Sequence, residues 1–235
     1  MLKRFLIATA TFLALAPAAK ADVINGSFEL GTGAPTASAT QGDTQAIGTS
    51  NITGWTVVNN AGTTVDNGLN VLWIYNGGYG LSTPYGNLFL DLTGTTDSTP
   101  YDGVTQTIAT VVGQTYAMTF DLGVSTNGGP FSGTISVDAD AGSAVTAVTD
   151  NGSSGTLNGV TEWTNESVLF TATSTTTPIS IIGESDTAGQ FIGLDNVAVN
   201  AVTTTAVPEP LTISLFGAGL AGAAAMRRRR KIKTI

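Results

Sequence analysis

The chain has 235 residues, 42% of them hydrophobic, with 9 Lys and Arg against 17 Asp and Glu and a formal net charge of −8. All nine basic residues lie near the two ends, so the span 22–207 carries sixteen carboxylates, no Lys or Arg, and a formal side-chain charge of −16. Such a surface excludes nucleic acid, whose phosphates would find no counter-charge, and the absence of Cys and His removes disulfides and the commonest acid–base group and metal ligand.

Residues 1–21 read as a secretory signal: Lys3 and Arg4 precede the apolar run Phe5 to Ala16, and Ala19-Lys20-Ala21 supplies a small-x-small cleavage site. Cleavage between Ala21 and Asp22 is expected. The body that follows, 22–202, is expected to be all-β. Asn-Gly pairs begin at Asn25, Asn67, Asn76, Asn127, Asn151 and Asn158, and such pairs favour tight turns. Between them the segments alternate. Tyr116, Met118, Phe120 and Leu122 fall on one face, with Thr115, Ala117, Thr119 and Asp121 on the other; Ile135 and Val137 repeat the period, as do Val168, Phe170 and Ala172. Segment 30–53 has little apolar content and reads as a long loop or irregular insertion. Short alternating strands at this spacing predict a single jelly-roll β-sandwich.

A spacer at 203–207 leads into a tail at 208–235. Pro208-Glu209-Pro210 breaks any incoming structure, Leu211 to Met226 carries no charge, and Arg227, Arg228, Arg229, Arg230 and Lys231 close the segment. A helix over 211–226 would reach ~24 Å, short of a ~30 Å hydrocarbon core, with snorkelling Arg side chains making up the difference. Basic residues after the span place the C-terminus in the cytoplasm and the body outside. This ending resembles the PEP-CTERM sorting signal. The resemblance implies processing by an exosortase-type enzyme in a Gram-negative host that makes exopolysaccharide. It also implies transient anchoring in the inner membrane and delivery to the cell envelope or extracellular matrix.

The body carries Asn25-Gly26-Ser27-Phe28-Glu29, Gly54-Trp55, Gly86-Asn87-Leu88-Phe89-Leu90-Asp91-Leu92, Thr105-Gln106-Thr107, Gly113-Gln114-Thr115-Tyr116, and Gly193-Leu194-Asp195-Asn196-Val197. In this order the motifs resemble choice-of-anchor C and DUF642-like domains and, more remotely, carbohydrate-binding modules with a galactose-binding-like jelly roll. That resemblance implies a non-catalytic sandwich associated with polysaccharide.

Three kinds of site follow. A cation-free, oxygen-rich domain suits a hard metal such as calcium. On a period-two reading Asp195 shares a face with Val197 and Val199 and points inward, where a carboxylate must be neutralised, hydrogen-bonded or metal-bound. The resemblance implies a structural calcium held by Glu29 and Asp195, with Asn25 as a further ligand; the plainer alternative is that both carboxylates accept backbone N–H bonds. Trp73, Tyr75, Tyr79, Tyr85 and Tyr101 lie in or beside Gly-rich sequence and are candidates for a sugar-stacking platform, the alternative being packing over a strand edge, whereas Trp55, Phe28 and Tyr116 read as core. Paired carboxylates such as Asp138 with Asp140, or Glu162 with Glu166, offer the elements of glycoside hydrolysis, but no phosphate loop or nucleophile elbow accompanies them. The expectation is therefore a non-enzymatic surface or matrix protein that binds polysaccharide. The alternative is a structural or adhesive envelope protein acting through protein contacts or cation-mediated self-association.

Overall fold

Alternation builds the body. The computed structural model describes residues 21–36, 42–59, 64, 70–95, 102–126, 131–139, 146–152, 162–184, 190–202, 217–222 and 227. Its strands are β1 (Gly42–Ala46), β2 (Thr56–Asn59), β3 (Asn70–Tyr75), β4 (Leu88–Asp91), β5 (Asp102–Ala109), β6 (Thr115–Thr126), β7 (Phe131–Ala139), β8 (Thr146–Gly152), β9 (Glu162–Thr171), β10 (Thr176–Gly183) and β11 (Gln190–Ala201). They form a six-stranded sheet in the order β1-β3-β4-β11-β6-β9 and a five-stranded sheet in the order β2-β5-β10-β7-β8. Neighbours run antiparallel, as in the long β6–β11 and β6–β9 pairings. The two sheets make a jelly-roll β-sandwich with one main core between them.

The core is the inward set of each alternating strand. Tyr116, Met118, Phe120, Leu122 and Val124 of β6 meet Val168 and Phe170 of β9, Ile192, Leu194 and Val199 of β11, and Ile135, Val137, Ile179 and Ile181 of the other sheet. Tyr116 stacks on Phe170 with ring centroids 5.5 Å apart, and its hydroxyl accepts the Val111 N–H at 2.9 Å. The expected core positions Trp55 and Phe28 are buried as well, their rings 5.4 Å apart.

The N-terminal segment is no strand, yet it is fastened across both sheets. The Gln106 side chain donates to Ile24 O and accepts from Ile24 N, at 2.9 and 2.7 Å. Trp55 Nε1 donates to Asn25 O at 3.0 Å and Trp73 Nε1 to Phe28 O at 2.9 Å, while Gly26 O accepts the Val197 N–H at 2.8 Å. Ala21 belongs to the main core and Asp22 is exposed, so cutting between them removes one small side chain from the interior. Residues 1–20 lie outside the described set.

Three expectations need correction. Segment 30–53 is not all loop: β1 lies in it as an edge strand pairing with β3, and Gly31 bridges Ile52. An edge strand with a polar inward residue lacks the apolar period. Here Gln45 is buried, its amide donating to Asp43 and accepting from Asn51. Asn151-Gly152 ends β8 and makes no turn there. The inward orientation of Asp195 is also wrong. In β11 the register slips between Asp195, opposite Asp121, and Ala198, opposite Thr119. The extra residue includes Asn196 at φ 52, and a bulge of one residue inverts side-chain parity. Asp195 therefore shares the outer face of the six-stranded sheet with Asp121, while Val197 and Val199 turn inward.

Residues Thr203–Ile235 form a separate compact unit. Of the expected helix 211–226, Gly217–Gly222 are described and are helical and exposed, as is Arg227. Among the described residues no helix is long and apolar enough to cross a membrane. Pro208, Glu209, Pro210, Arg228, Arg229 and Arg230 lie outside the described set.

Trp73 fills the core and anchors the N-terminal segment, so Trp73→Ala is expected to cost about 3–5 kcal/mol. Urea unfolding followed by tryptophan fluorescence reads this directly; a loss below 1 kcal/mol would contradict the packing.

Candidate functional site

A second, smaller apolar cluster sits on the outer face of the six-stranded sheet. Leu72 and Ile74 of β3, Phe89 of β4 and Leu81 of the β3–β4 connection are buried there, with Trp163 of β9 and Phe191 of β11 half-buried against them. The connection, residues 76–87, lies across this face. Its shape starts at Asn76-Gly77, where Gly77 takes φ 92 and a 3-10 turn covers Gly78–Gly80. The Asn76 amide then holds the loop together, donating to Thr83 O and Gly86 O and accepting from Thr83 N. At the far end Glu29 Oε1 accepts the N–H groups of Asn87 and Leu88, each at 2.8 Å. Glycine suits position 86, where φ is 134 and a Cβ would lie 2.3 Å from that same oxygen.

Where the loop crosses β11 and β6 it meets a polar cluster. Thr83 Oγ1 donates to Asp195 Oδ2 at 2.6 Å, and the Asn196 N–H donates to Asp195 Oδ1 at 2.7 Å. The Asn196 amide donates to Asp121 Oδ2 at 2.7 Å and the Asn165 amide to Asp121 Oδ1 at 3.1 Å. The Tyr85 hydroxyl also donates to Asp121. Both carboxylates are buried, and every donor named is neutral. Burial is the largest influence on Asp195 and pushes its pKa up to about 7; Thr83 and Asn196 pull the other way, while the nearby charges of Glu29 and Asp121 add to the rise. Burial first, then the bond to Asp121, raises the Tyr85 phenol as well.

Trp163 links the loop to β9. Its Nε1 donates to Ser82 O at 2.7 Å, and its ring meets Tyr85 and Phe89 edge-on at 6.4 and 5.6 Å. Gly193 makes room, since a Cβ on it would come within 2.8 Å of Trp163 Cη2. Beyond this corner β9 presents Asn165, Ser167 and Leu169 to solvent, Leu169 at 66% exposure.

Of the expected sugar platform, Tyr85 and Tyr79 are accessible, at 37% and 41%. They sit apart: Tyr79 lies beside Gly42 on edge strand β1, whereas Tyr85 packs on Trp163. Trp73 is 0% exposed, spent on Phe28, and has no face for a ligand; it does not belong in the platform. Tyr75, half-buried, packs against the main core on the inner side of the sheet and so does not join Tyr85 on the outer face. Tyr101 lies outside the described residues. Trp163 and Asp121 are the additions that the sequence reading missed. The parity of Val168 and Phe170 already assigned Trp163 to the opposite, solvent-side face.

The expected calcium ligands each have protein partners. Asn25 is a loop clamp at φ 53, its amide donating to Leu30 O and Thr53 O and its Oδ1 accepting Leu30 N. Glu29 and Asp195 are close enough to influence each other's charge, but four N–H and O–H donors point at their oxygens. Among the described residues no group of three or more acidic side chains is placed to hold a metal ion.

The family described as "Protein of unknown function (DUF642)" matches residues 21–200. The chain belongs to the DUF642 family. Residues 206–230 match the PEP-CTERM protein-sorting motif, which marks the DUF642 domain as part of an exported protein with a C-terminal sorting signal. A search of curated proteins finds no match. Solved structures similar to this chain include TmCBM61 in complex with β-1,4-galactotriose, at 16% identity and TM-score 0.41, over 64% of this chain and 90% of that one. The CBM22-1 xylan-binding domain of Paenibacillus barcinonensis Xyn10C aligns at 13% identity and TM-score 0.41, over 72% and 100%. The arabinose-bound α-L-arabinofuranosidase MgGH51 aligns at 15% and 0.47, over 79% and 27%.

One buried carboxyl lies away from this face. Asp102 begins β5 opposite Asn59 of β2, is 4% exposed, and has no hydrogen-bond partner at Oδ1. Burial raises its pKa to about 7 against the opposing bond from the Asn70 backbone. A folded pKa above the unfolded value means a contribution that is complete below about pH 4 and lost as pH rises to about 7. The melting temperature of the domain is therefore expected to fall by several degrees between pH 5 and 8, and Asp102→Asn to flatten that slope. Scanning fluorimetry across this range checks it; an unchanged slope in the variant would refute the assignment.

Proposed function

We propose that the DUF642 domain is a non-catalytic glycan-binding module of an exported envelope or matrix protein, binding through the outer face of its six-stranded sheet. The Tyr85–Trp163 corner carries this reading. Sugar rings offer apolar C–H faces to aromatic planes and hydroxyls to polar side chains, and binding sites combine such apolar surface with a few fixed polar groups. Tyr85 and Trp163 supply the planes, held by Asp121 and Ser82 O; Asn165, Ser167 and Asn196 are exposed polar residues beside them, the two Asn with their amide nitrogens turned to Asp121.

The same site argues against glycoside hydrolysis. That chemistry places two carboxyls on either side of a bond in bound substrate. Asp121 and Asp195 face each other across β6 and β11 but are 1% and 0% exposed, and the crossing loop seals them with fixed donors. They serve as the frame of the site.

The tail completes the reading: an exosortase-type enzyme recognises Pro208-Glu209-Pro210 and the Arg cluster while the apolar segment rests in the inner membrane with the C-terminus cytoplasmic, and then removes it. Glycan-array and affinity-gel binding of the 22–207 fragment tests the module. Tyr85→Ala and Trp163→Ala are each expected to weaken binding about tenfold or more, equivalent to about 1.4 kcal/mol, with Val112→Ala, exposed and off this face, as the control. Equal binding by all four proteins would remove the site. A second reading, self-association through strand edges, is favoured by β9, an edge strand of ten residues with Leu169 exposed and no basic residue along it. Light scattering that rises with calcium and is abolished by Leu169→Asp would support it.

A further inference from the structure

The glycan-binding reading leaves open which glycans the face accepts, and the charge pattern narrows the choice. Proteins recognise anionic groups with Arg or Lys side chains, or with the N–H groups at a helix N-terminus. Between residues 22 and 207 there is neither Lys nor Arg nor His. The described part of the body contains no helix beyond the 3-10 turn at Gly78–Gly80, too short to have an anion site.

The polar groups around Tyr85 and Trp163 are biased in a definite direction. Asp121 and Asp195 lie sealed beneath the crossing loop and Glu29 lies beside it, so the acidic groups nearest this face have no cation to offset them. The amide donors nearby are largely committed inward: Asn196 and Asn165 point theirs at Asp121, and Trp163 gives its N–H to Ser82 O. A sugar hydroxyl, which donates as well as accepts, fits such a surface. The carboxylate of a uronate or pyruvate ketal, or a sulfate ester, adds only acceptors and a negative charge to the glycan, and meets a domain of formal side-chain charge −16. With a Debye length of about 10 Å in 0.1 M salt, repulsion reaches an anionic group seated on the face from the acidic residues near it.

Resting on the glycan-binding reading, we propose that the ligand is a glycan without acidic groups, recognised through hydroxyls and ring faces, and that acidic polysaccharides are excluded by electrostatic repulsion across this face. Salt should then act opposite to its usual effect on polyanion binding: screening relieves repulsion here, so weak affinity for a polyuronate increases with ionic strength.

The test uses the 22–207 protein in EDTA, which prevents divalent ions from bridging carboxylates. Affinity gels and arrays compare neutral galactans, xylans and glucans with polygalacturonate, alginate and their carboxyl-reduced forms. Binding is expected to fall on uncharged polymers, and carboxyl reduction of a polyuronate is expected to raise its binding at least tenfold. Residual polyuronate binding should grow between 20 and 300 mM NaCl. Introducing cations at exposed β9 positions, Ser167→Lys with Leu169→Lys, is expected to admit polyuronate at low salt. Tighter binding of a polyuronate than of its reduced form, or polyuronate binding that declines with salt in the unmodified protein, would overturn the charge selection and leave glycan binding standing. No gain in the double-lysine variant would also overturn it, by showing that shape and not charge excludes the polyanion. Failure to bind any polymer in the panel would defeat the glycan-binding reading itself, and this inference with it.

Discussion

Burying carboxylates without any cation is the constraint from which the outer face takes its form. Asp121 and Asp195 stand opposite each other on adjacent strands, both beneath the surface. In most proteins a guanidinium or ammonium would neutralise such a pair; here none exists between residues 22 and 207. An unpaired buried charge is costly, so neutral donors must converge on it. They come from Thr83 and Tyr85 on the crossing loop, Asn165 on β9 and Asn196 in the β11 bulge. The loop is therefore held down by the carboxylates, and in lying down it presents Tyr85 against Trp163. Electrostatic necessity in the interior and an aromatic corner at the surface are one structure.

The bulge is the hinge of that arrangement. Were the strand to alternate without a bulge at Asn196, Asp195 would keep the parity of Val197 and Val199 and enter the main core. A left-handed φ of 52 at Asn196 suits Asn better than most residues. Its backbone N–H and side-chain amide then serve Asp195 and Asp121 respectively. One residue thus inverts the strand, satisfies two acids and separates the outer face from the core.

Much of the fold was legible because its strands alternate cleanly. The Tyr116-to-Leu122 pattern, Ile135 with Val137, and Val168 with Phe170 gave the core positions and hence the sandwich. Features that depend on partners were not legible. Strand β1 carries no apolar period because its inward residue is the polar Gln45, whose amide is satisfied by Asp43 and Asn51 once the segment has folded back on itself. The bulge at Asn196 leaves no compositional mark beyond an Asn that also suits turns. Trp73 and Trp163 show the same limit: both lie in strands, and parity alone separates them. Trp73 shares its face with Val71 and is buried, whereas Trp163 opposes Val168 and Phe170. The proximity of a tryptophan to glycine-rich sequence carried no information about exposure.

The placement of charge along the chain bears on the function of the mature body. Every basic residue belongs to a terminal segment expected to be removed, so processing takes a chain of formal charge −8 to a body of −16. On the proposed processing, the cations at the ends would orient the signal and hold the tail at the membrane, and would leave with those segments. Where no divalent ion bridges its carboxylates, a body stripped of cations resists pairing with its own copies at edges such as β9 by like-charge repulsion, a role that edge lysines often fill. The same repulsion acts on any acidic polymer surrounding the cell. A matrix protein built this way would not be captured by the first polyanion it meets, and its contacts would be left to groups that discriminate by ring shape and hydroxyl position. Those are the groups that the crossing loop, pinned by two buried acids, assembles around Tyr85 and Trp163.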